Sequence, residues 1–143
     1  MTLFRNGHKF TLCARCCPPL GESLPFIYAQ IAGPGGGARP VIGKVDTGAS
    51  RTVLNFDTAE DLGIPDPKAG AIGEGTARTA TDTGFEYYVH HVMVELADDQ
   101  GNSVHFPLKA AFAEKVKRNL FGVDWLPHVC LAVDRKAVHL LRD

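Results

Sequence analysis

The sequence has 143 residues, with 15 basic and 16 acidic side chains, a formal net charge of -1 and 45% hydrophobic residues. A chain of this length can bury one continuous core but not two substantial lobes with separate cores. The hydrophobic fraction excludes a disordered chain, and the near-zero net charge gives no electrostatic footprint for nucleic acid or an anionic membrane. We therefore expect one domain, with neither nucleic acid nor a membrane as partner.

The sequence also bears on where the protein resides. No apolar run approaches the roughly 18 to 20 residues that a membrane span needs. The region where a secretory signal would carry its apolar segment is interrupted by Arg5, His8, Lys9 and Arg15. We expect a soluble, cytoplasmic protein.

Residues 1–24 have mixed charge and no clean periodicity, which predicts an N-terminal arm or leading strand before a domain over residues 25–143. Fifteen Gly and nine Pro, about 17% of the chain, exceed the roughly 12% of average usage and favour many short strands joined by turns. Two apolar runs over residues 25–31 and 40–46 flank a Gly-rich turn. This arrangement predicts an antiparallel pair of strands.

A short helix is predicted after this pair. Asp57 as N-cap and Glu60 three residues later form a capping box, and Gly63 suits the C-terminal stop. The small, polar, Gly-punctuated segment over residues 71–84 predicts a mobile loop or a hairpin tip. A second helical turn is predicted before Pro127.

The most regular strand signals lie over residues 92–96 and 104–112, on either side of a polar turn. Their strict period of two predicts half-buried antiparallel strands. The apolar segment over residues 137–141 predicts a terminal strand with two alternative partners: a second copy across a two-fold axis, or residues 130–133 of the same chain. The inward residues of the two long strands are predicted to be Val92, Val94, Leu96, Val104, Phe106, Leu108, Ala110 and Phe112.

The most informative stretch is KVDTGAS, residues 44–50, in which an apolar strand leads directly into a turn that begins with Asp46. Gly48 permits close approach of the backbone, and hydroxyl residues in the turn can hydrogen-bond nearby oxygens. The pattern resembles the active-site signature of the aspartic proteases. Downstream, NLFG at residues 119–122 followed by VDWL at 123–126 resembles the second signature of single-lobe retropepsins, in which an apolar strand ending in Gly passes beside the catalytic turn.

The resemblance covers the chain from about residue 25 to the end. It is similar to retropepsin-like cellular proteins such as the DNA-damage-inducible ubiquitin-shuttle family and to bacterial single-lobe relatives. It implies an all-β, closed acid-protease barrel with one or two short helices, acting as an aspartic endopeptidase on peptides or proteins without a cofactor. The mechanism needs two carboxylates that share one proton, and one chain supplies one such Asp, so a homodimer is expected.

The resemblance also implies roles for single residues. Asp46 is the acid/base residue, Thr47 braces the two active-site turns across the axis, and Gly48 places backbone near the carboxylates. Ser50 is expected to hydrogen-bond Asp46. The residues implied to contact substrate are Ser50, Gly75, Thr76 and Gly122.

A second Asp-Thr-Gly begins at Asp82. No apolar strand precedes it, and 36 positions from Asp46 are too few for another lobe. We therefore assign it to the flap, a hairpin over residues 73–90 that would fold over the substrate. Three aromatic residues of this hairpin pack either over the cleft or simply within the strand: Phe85, Tyr87 and Tyr88.

Four other polar residues receive ordinary structural explanations. Asp124 follows the second signature closely, and we predict that it caps the helical turn instead of acting in catalysis. His90 and His91 point to opposite faces of a strand and cannot form a metal pair. His105 alternates outward and is expected to be solvated.

The N-terminal cysteines suggest a metal site only weakly. His8, Cys13, Cys16 and Cys17 are suitable zinc ligands, but they contain a single CxxC and no second pair closes the site. We favour reduced, incidental thiols and no metal. Two alternatives stay open: a retropepsin-like dimer that binds a peptide or partner protein without turnover, and a metal or small-molecule module centred on these cysteines.

Overall fold

The computed structural model describes residues 4–5, 8–9, 12–16, 25–79, 81–133 and 137–141. Its strands are β1 (Phe4–Arg5), β2 (His8–Lys9), β3 (Leu12–Arg15), β4 (Phe26–Ala32), β5 (Ala38–Val45), β6 (Val53–Asn55), β7 (Gly73–Arg78), β8 (Gly84–Ala97), β9 (Ser103–Ala113), β10 (Leu120–Phe121), β11 (Cys130–Val133) and β12 (Ala137–Leu141). One α-helix, α1 (Phe56–Asp61), and one 3₁₀ helix (Val123–Trp125) complete the regular structure of the described residues.

Six of the strands close into a barrel. β4 pairs antiparallel with β5 along one edge and with β8 along the other. From β8 the ring continues through β9, β6 and β10 and returns to β5. The pairs β5–β10 and β6–β9 are parallel, and the other pairs in the ring are antiparallel. The prediction of an all-β closed barrel with one or two short helices is confirmed.

The barrel interior holds the predicted alternating residues. All eight inward residues predicted for β8 and β9 are buried. In β9 the strict alternation ends at Ala110, because Ala111 and Ala113 are buried as well. These two alanines lie in a second, smaller cluster with Val53, against which aromatic side chains of β8 pack. Strand β7 pairs antiparallel with the first half of β8 to form a hairpin, and this cluster joins that hairpin to the barrel.

Helix α1 begins earlier than predicted. Its N-cap is Asn55, whose side-chain oxygen accepts a hydrogen bond from the Thr58 N–H at 2.8 Å. Asp57 lies in the first turn, so the capping box predicted from Asp57 is wrong. The helix ends as predicted, since Gly63 follows it with a positive φ of 78° that favours glycine. In the described part of the chain, no helix has the length and apolarity needed to cross a bilayer.

The terminal strand β12 is the middle strand of a separate three-stranded sheet. It pairs antiparallel with β11 on one side and with β3 on the other. Both of its backbone edges are therefore used within one chain, and the prediction that it pairs across a two-fold axis is wrong. The alternative, a hairpin with Cys130–Val133, is confirmed. The domain boundary placed between residues 24 and 25 stays a prediction.

Candidate active site

Backbone hydrogen bonds hold Asp46 at the end of strand β5. Its N–H donates to the Phe121 carbonyl at 2.9 Å, which continues the parallel pairing of β5 with β10. The Ala49 N–H donates to the Asp46 carbonyl at 3.1 Å and closes the turn. Because the preceding Val45 is buried, the strand end is fixed while the Asp46 side chain stays partly accessible.

The Asp46 carboxylate is oriented by the turn itself. The Gly48 N–H donates to its Oδ1 at 2.9 Å. A Cβ at position 48 would lie 3.1 Å from the same oxygen, so a side chain there would crowd the carboxylate. Thr47 and Ser50 are exposed. Among the hydrogen bonds of the described residues, none joins Ser50 to Asp46, so the structure does not contain that predicted bond.

Gly122 supports the Asp46 turn from behind. It is buried, and a Cβ there would lie 2.7 Å from the Ala49 carbonyl oxygen and 2.6 Å from the carbonyl carbon of Arg51. The next residue, Val123, donates its N–H to the same Ala49 carbonyl at 2.9 Å. Gly122 is predicted to contact substrate, but the structure places it beneath the turn, where only glycine lets the two backbones approach so closely.

Asp124 ties the far end of the turn to the 3₁₀ helix. Its Oδ2 accepts the Thr52 N–H and its Oδ1 accepts the Thr52 hydroxyl, both at 2.8 Å. Thr52 is fully buried, and its hydroxyl oxygen accepts the Gly122 N–H at 3.3 Å. The 3₁₀ helix is capped by Gly122, so the predicted capping role of Asp124 is wrong. Asp124 instead links segments 72 positions apart through charge-assisted hydrogen bonds.

A cleft of about 880 Å³ borders the Asp46 turn. This volume is in the range of ligand pockets. The turn, the β7–β8 hairpin and residues 115–120 form its walls. Of the predicted site residues, Asp46, Gly48, Ser50 and Thr76 line it together. Thr47, Gly75 and Gly122 do not line it.

The aromatic residues of the hairpin divide between its two faces. Phe85 and Tyr87 line the cleft, and Phe85 also borders the concavity on the Tyr88 side. The Tyr87 hydroxyl lies over Gly75, where a Cβ would be 2.5 Å away from it. Tyr88 lies on the other face, with its ring centroid 6.4 Å from that of Phe56. A second concavity of about 610 Å³ lies there, between the hairpin and α1.

The second Asp-Thr-Gly lies at the tip of the hairpin, as predicted. Asp82 has a positive φ of 62°. Its carboxylate forms an ion pair with Arg78 at 2.8 Å, and the two side chains are 79% and 71% exposed. Asp82 does not line the cleft that contains Asp46.

The histidines take the predicted orientations. His90 is buried, with Nε2 2.7 Å from the Pro67 carbonyl oxygen, whereas His91 on the opposite face is exposed. His105 is exposed as predicted, and its Nδ1 lies 3.9 Å from a carboxylate oxygen of Glu95. Within the described ranges, no three His, Cys, Asp or Glu residues are grouped to hold a metal ion. The hypothesis of an N-terminal zinc site rests largely on side chains outside the described residues, those of His8, Cys13 and Cys17.

The cleft also contains basic residues that belong to no recognised motif. Arg51 follows the Asp46 turn, and three more basic residues come from the segment KVKR at 115–118. Asn119 anchors this segment: its Nδ2 donates to the Ile42 carbonyl at 3.0 Å, and its Oδ1 accepts the Asn55 N–H at 2.9 Å. The basic run is visible in the sequence, but its proximity to Arg51 depends on the fold.

Comparison with known proteins defines the class of fold. No family model matches the chain, and no curated protein sequence matches it. A solved structure of a retropepsin-like aspartic protease from Rickettsia conorii matches with 18% identity and a TM-score of 0.60, over 92% of this chain and 99% of that chain. The EIAV protease complexed with the inhibitor HBY-793 matches with 17% identity and a TM-score of 0.53, over 76% of this chain and 88% of that chain. The chain has the retropepsin-like aspartic protease fold.

Proposed function

We propose that this protein is an aspartic endopeptidase that assembles its active site from two copies of the chain. The observation that carries the proposal is the position of Asp46. Its carboxylate is held by the Gly48 N–H at 2.9 Å and borders a cleft of about 880 Å³. A partly accessible carboxylate, oriented by backbone at the wall of a cleft, is suited to acid/base chemistry.

The chemistry requires a second carboxylate. In a closed two-fold pair, Asp46 of each copy lies beside the axis, and repulsion between like charges leaves one proton shared by the two groups. The ionised carboxylate takes a proton from a water molecule, which attacks the peptide carbonyl. The neutral carboxylate stabilises the developing oxyanion and then protonates the leaving amine.

The remaining site residues act on the substrate and on the second copy. Thr47, exposed at the turn, contacts the partner copy and braces the two turns. Strand β7 is an edge strand of the barrel sheet, so the outer main-chain groups of Gly75 and Thr76 are positioned to pair with an extended peptide. The hairpin thereby acts as a flap. Gly122 supports the catalytic turn from beneath.

The proposal also includes the subgroup of retropepsin-like proteins, the cellular location and the absence of a cofactor. Among retropepsin-like proteins, we group this chain with single-lobe enzymes such as the DNA-damage-inducible proteases and bacterial relatives. The match to the Rickettsia conorii structure over 92% of this chain is consistent with this grouping. The enzyme is proposed to act in the cytoplasm without a cofactor.

The test is digestion of a peptide library by the full-length protein and by Asp46→Asn. The amide is isosteric with the carboxylate but does not carry the shared proton, so cleavage should fall by at least roughly 1000-fold. The matched control is Asp82→Asn, the same change in the second Asp-Thr-Gly, which should retain most of the activity. Undiminished cleavage by Asp46→Asn would refute the mechanism.

A mixing experiment tests whether the site is shared. Excess Asp46→Asn protein, added to a fixed amount of wild type and allowed to exchange subunits, should draw wild-type chains into inactive mixed dimers and suppress cleavage. Excess Asp82→Asn protein should not suppress it. Full activity of a proven monomer would refute the shared site. Peptide binding without cleavage would support the alternative function, a retropepsin-like dimer that binds without turnover.

A further inference from the structure

Positive charge is concentrated in the cleft although the net charge of the chain is -1. Among the described residues that line the cleft, Asp46 is the only acidic one. The basic residues that line it are Arg51, Arg78, Lys115, Lys117 and Arg118. The other described acidic side chains, which contribute to the near-zero net charge, therefore lie outside the cleft.

Three of these cations have no neutralising carboxylate among the described residues. Arg78 is paired with Asp82. Around Arg51, Lys115 and Lys117, by contrast, no carboxylate of the described residues lies within 4.0 Å. The Arg51 guanidinium lies 5.3 Å from the centroid of the Tyr87 ring, a cation–π contact that orients the side chain without removing its charge.

The two lysines project from an anchored segment. The segment connects β9 to β10 and is fixed at its end by the buried Asn119. The side-chain amide of Asn55 also donates to the Lys117 carbonyl at 3.5 Å. Lys115 and Lys117 are themselves exposed, so their ammonium groups are accessible to a ligand in the cleft while their backbone is held.

We propose that the cleft selects acidic peptides, with Asp or Glu side chains close to the bond that is cleaved. This inference rests on the proposed function. A cleft lined by one sign of charge raises the local concentration of oppositely charged ligands, and Arg binds carboxylates through paired hydrogen bonds. In a two-fold dimer the basic residues of both copies flank the catalytic pair, so acidic residues are favoured on both sides of the scissile bond.

The geometry favours a peptide over a nucleic acid. Among the described strands β7 pairs with β8 alone, and its outer edge beside the cleft provides main-chain donors and acceptors that match those of an extended peptide. The Asp46 carboxylate in the same cleft repels a phosphate at the point where an uncharged peptide bond would lie.

The test compares fluorogenic peptides that are identical around the cleaved bond and carry Glu, Gln or Lys at the flanking positions. With wild-type protein, kcat/KM for the Glu peptide should exceed that for the Gln peptide by roughly tenfold. The ratio should approach one at about 1 M salt, where charges are screened within roughly 3 Å. The Lys peptide should be cleaved least.

Charge-reversal variants test which residues cause the preference for acidic peptides. In the double variant Lys115→Glu, Lys117→Glu, the Glu-to-Gln ratio should fall below one and the Lys peptide should improve. Lys109→Glu is the matched control, because Lys109 is exposed on β9 and does not line the cleft. It should leave the ratio at its wild-type value.

The outcomes separate this inference from the proposed function. Cleavage with equal efficiency for all three peptides would overturn the charge preference and leave the endopeptidase intact. If no peptide is cleaved, binding of the same peptides to wild type and to Asp46→Asn is measured by fluorescence anisotropy. Preferential binding of the Glu peptide would then support the acidic preference, although the enzyme proposal fails. Tighter binding of a single-stranded DNA of equal charge would overturn the peptide assignment.

Discussion

Asp46 and Asp82 begin the two Asp-Thr-Gly turns of this chain, and the structure gives them different surroundings. Asp46 follows the buried end of β5, accepts the Gly48 N–H, and is supported from behind by a segment more than 70 positions downstream. Asp82 lies at a hairpin tip, is 79% exposed and pairs with Arg78, four positions before it.

The comparison shows that three identical residues do not make a site. At Asp46 the backbone of Gly122 and the carboxylate of Asp124 hold the turn in one position, and the barrel supplies the adjacent cleft. At Asp82 the side-chain contact that the described residues provide is local, the ion pair with Arg78, and both side chains are exposed. The orientation of the Asp46 carboxylate therefore depends on the long-range support behind its turn.

The largest expected effect is the dependence of cleavage on pH. If two Asp46 carboxylates share one proton, activity fails at low pH, where both are protonated and neither can accept a proton from water. It also fails at higher pH, where both are ionised and neither can donate. The profile of kcat/KM at constant ionic strength should be bell-shaped, falling by roughly tenfold per pH unit beyond each limb.

Asp82→Asn should leave both limbs of that profile in place, since Asp82 does not line the cleft that contains Asp46. A single sigmoidal rise that persists to alkaline pH would contradict the paired carboxylates.

The next effect concerns the support behind the turn. In Gly122→Ala the new Cβ would lie 2.6 Å from the carbonyl carbon of Arg51, so the backbone must shift. Urea denaturation should show a loss of about 3 kcal/mol in the free energy of unfolding. In Gly84→Ala, within the second Asp-Thr-Gly, the nearest atom is the Ala77 carbonyl oxygen at 3.9 Å, and stability should change by no more than about 0.5 kcal/mol. Equal losses in the two variants would refute the special role of Gly122.

The smallest predicted effect compares two carboxylates. Asp124→Ala leaves the fully buried Thr52 without an acceptor for its N–H and hydroxyl, which should destabilise the protein by about 2 kcal/mol. Asp82→Ala breaks an exposed ion pair and should cost no more than about 0.5 kcal/mol. Asp124→Asn should recover part of the loss, because the amide oxygen still accepts one bond. Thermal unfolding of the three variants at one pH provides the measurement.

The parts of the fold that were predictable are those with local signals. Strict alternation located β9 and the last part of β8, and the Gly-rich turn located the β4–β5 pair. The first half of β8, from Gly84, was not located in this way. The start of α1 was missed because Asn55 and Asp57 are both good capping residues. Asn55 is selected because Asn119, from the other end of the domain, also fixes its backbone.

The position of Asp46 was predictable from local sequence, whereas the contacts of the residues around it were not. An apolar strand leading into Asp-Thr-Gly-Ala-Ser located Asp46, since this turn is continuous in sequence. Ser50 was expected to bond Asp46, and Gly122 to touch substrate, because residues near a motif are easily assigned to its chemistry. The structure instead gives Gly122 a packing role. The terminal strand was ambiguous because an apolar strand of five residues carries no information about its partner.

By itself, the sequence determined the class of fold, most strand positions and the turn that presents Asp46, because alternation, turn residues and strand-to-turn boundaries are properties of neighbouring residues. Only the tertiary structure decided how the turn is supported and what surrounds it. The bonds from Asp124 to Thr52, and the gathering of Arg51 with Lys115 and Lys117, join segments more than 60 positions apart. A net charge of -1 conceals a basic cleft because a sum over the chain has no spatial content, whereas electrostatic selection depends on which charges the fold brings together.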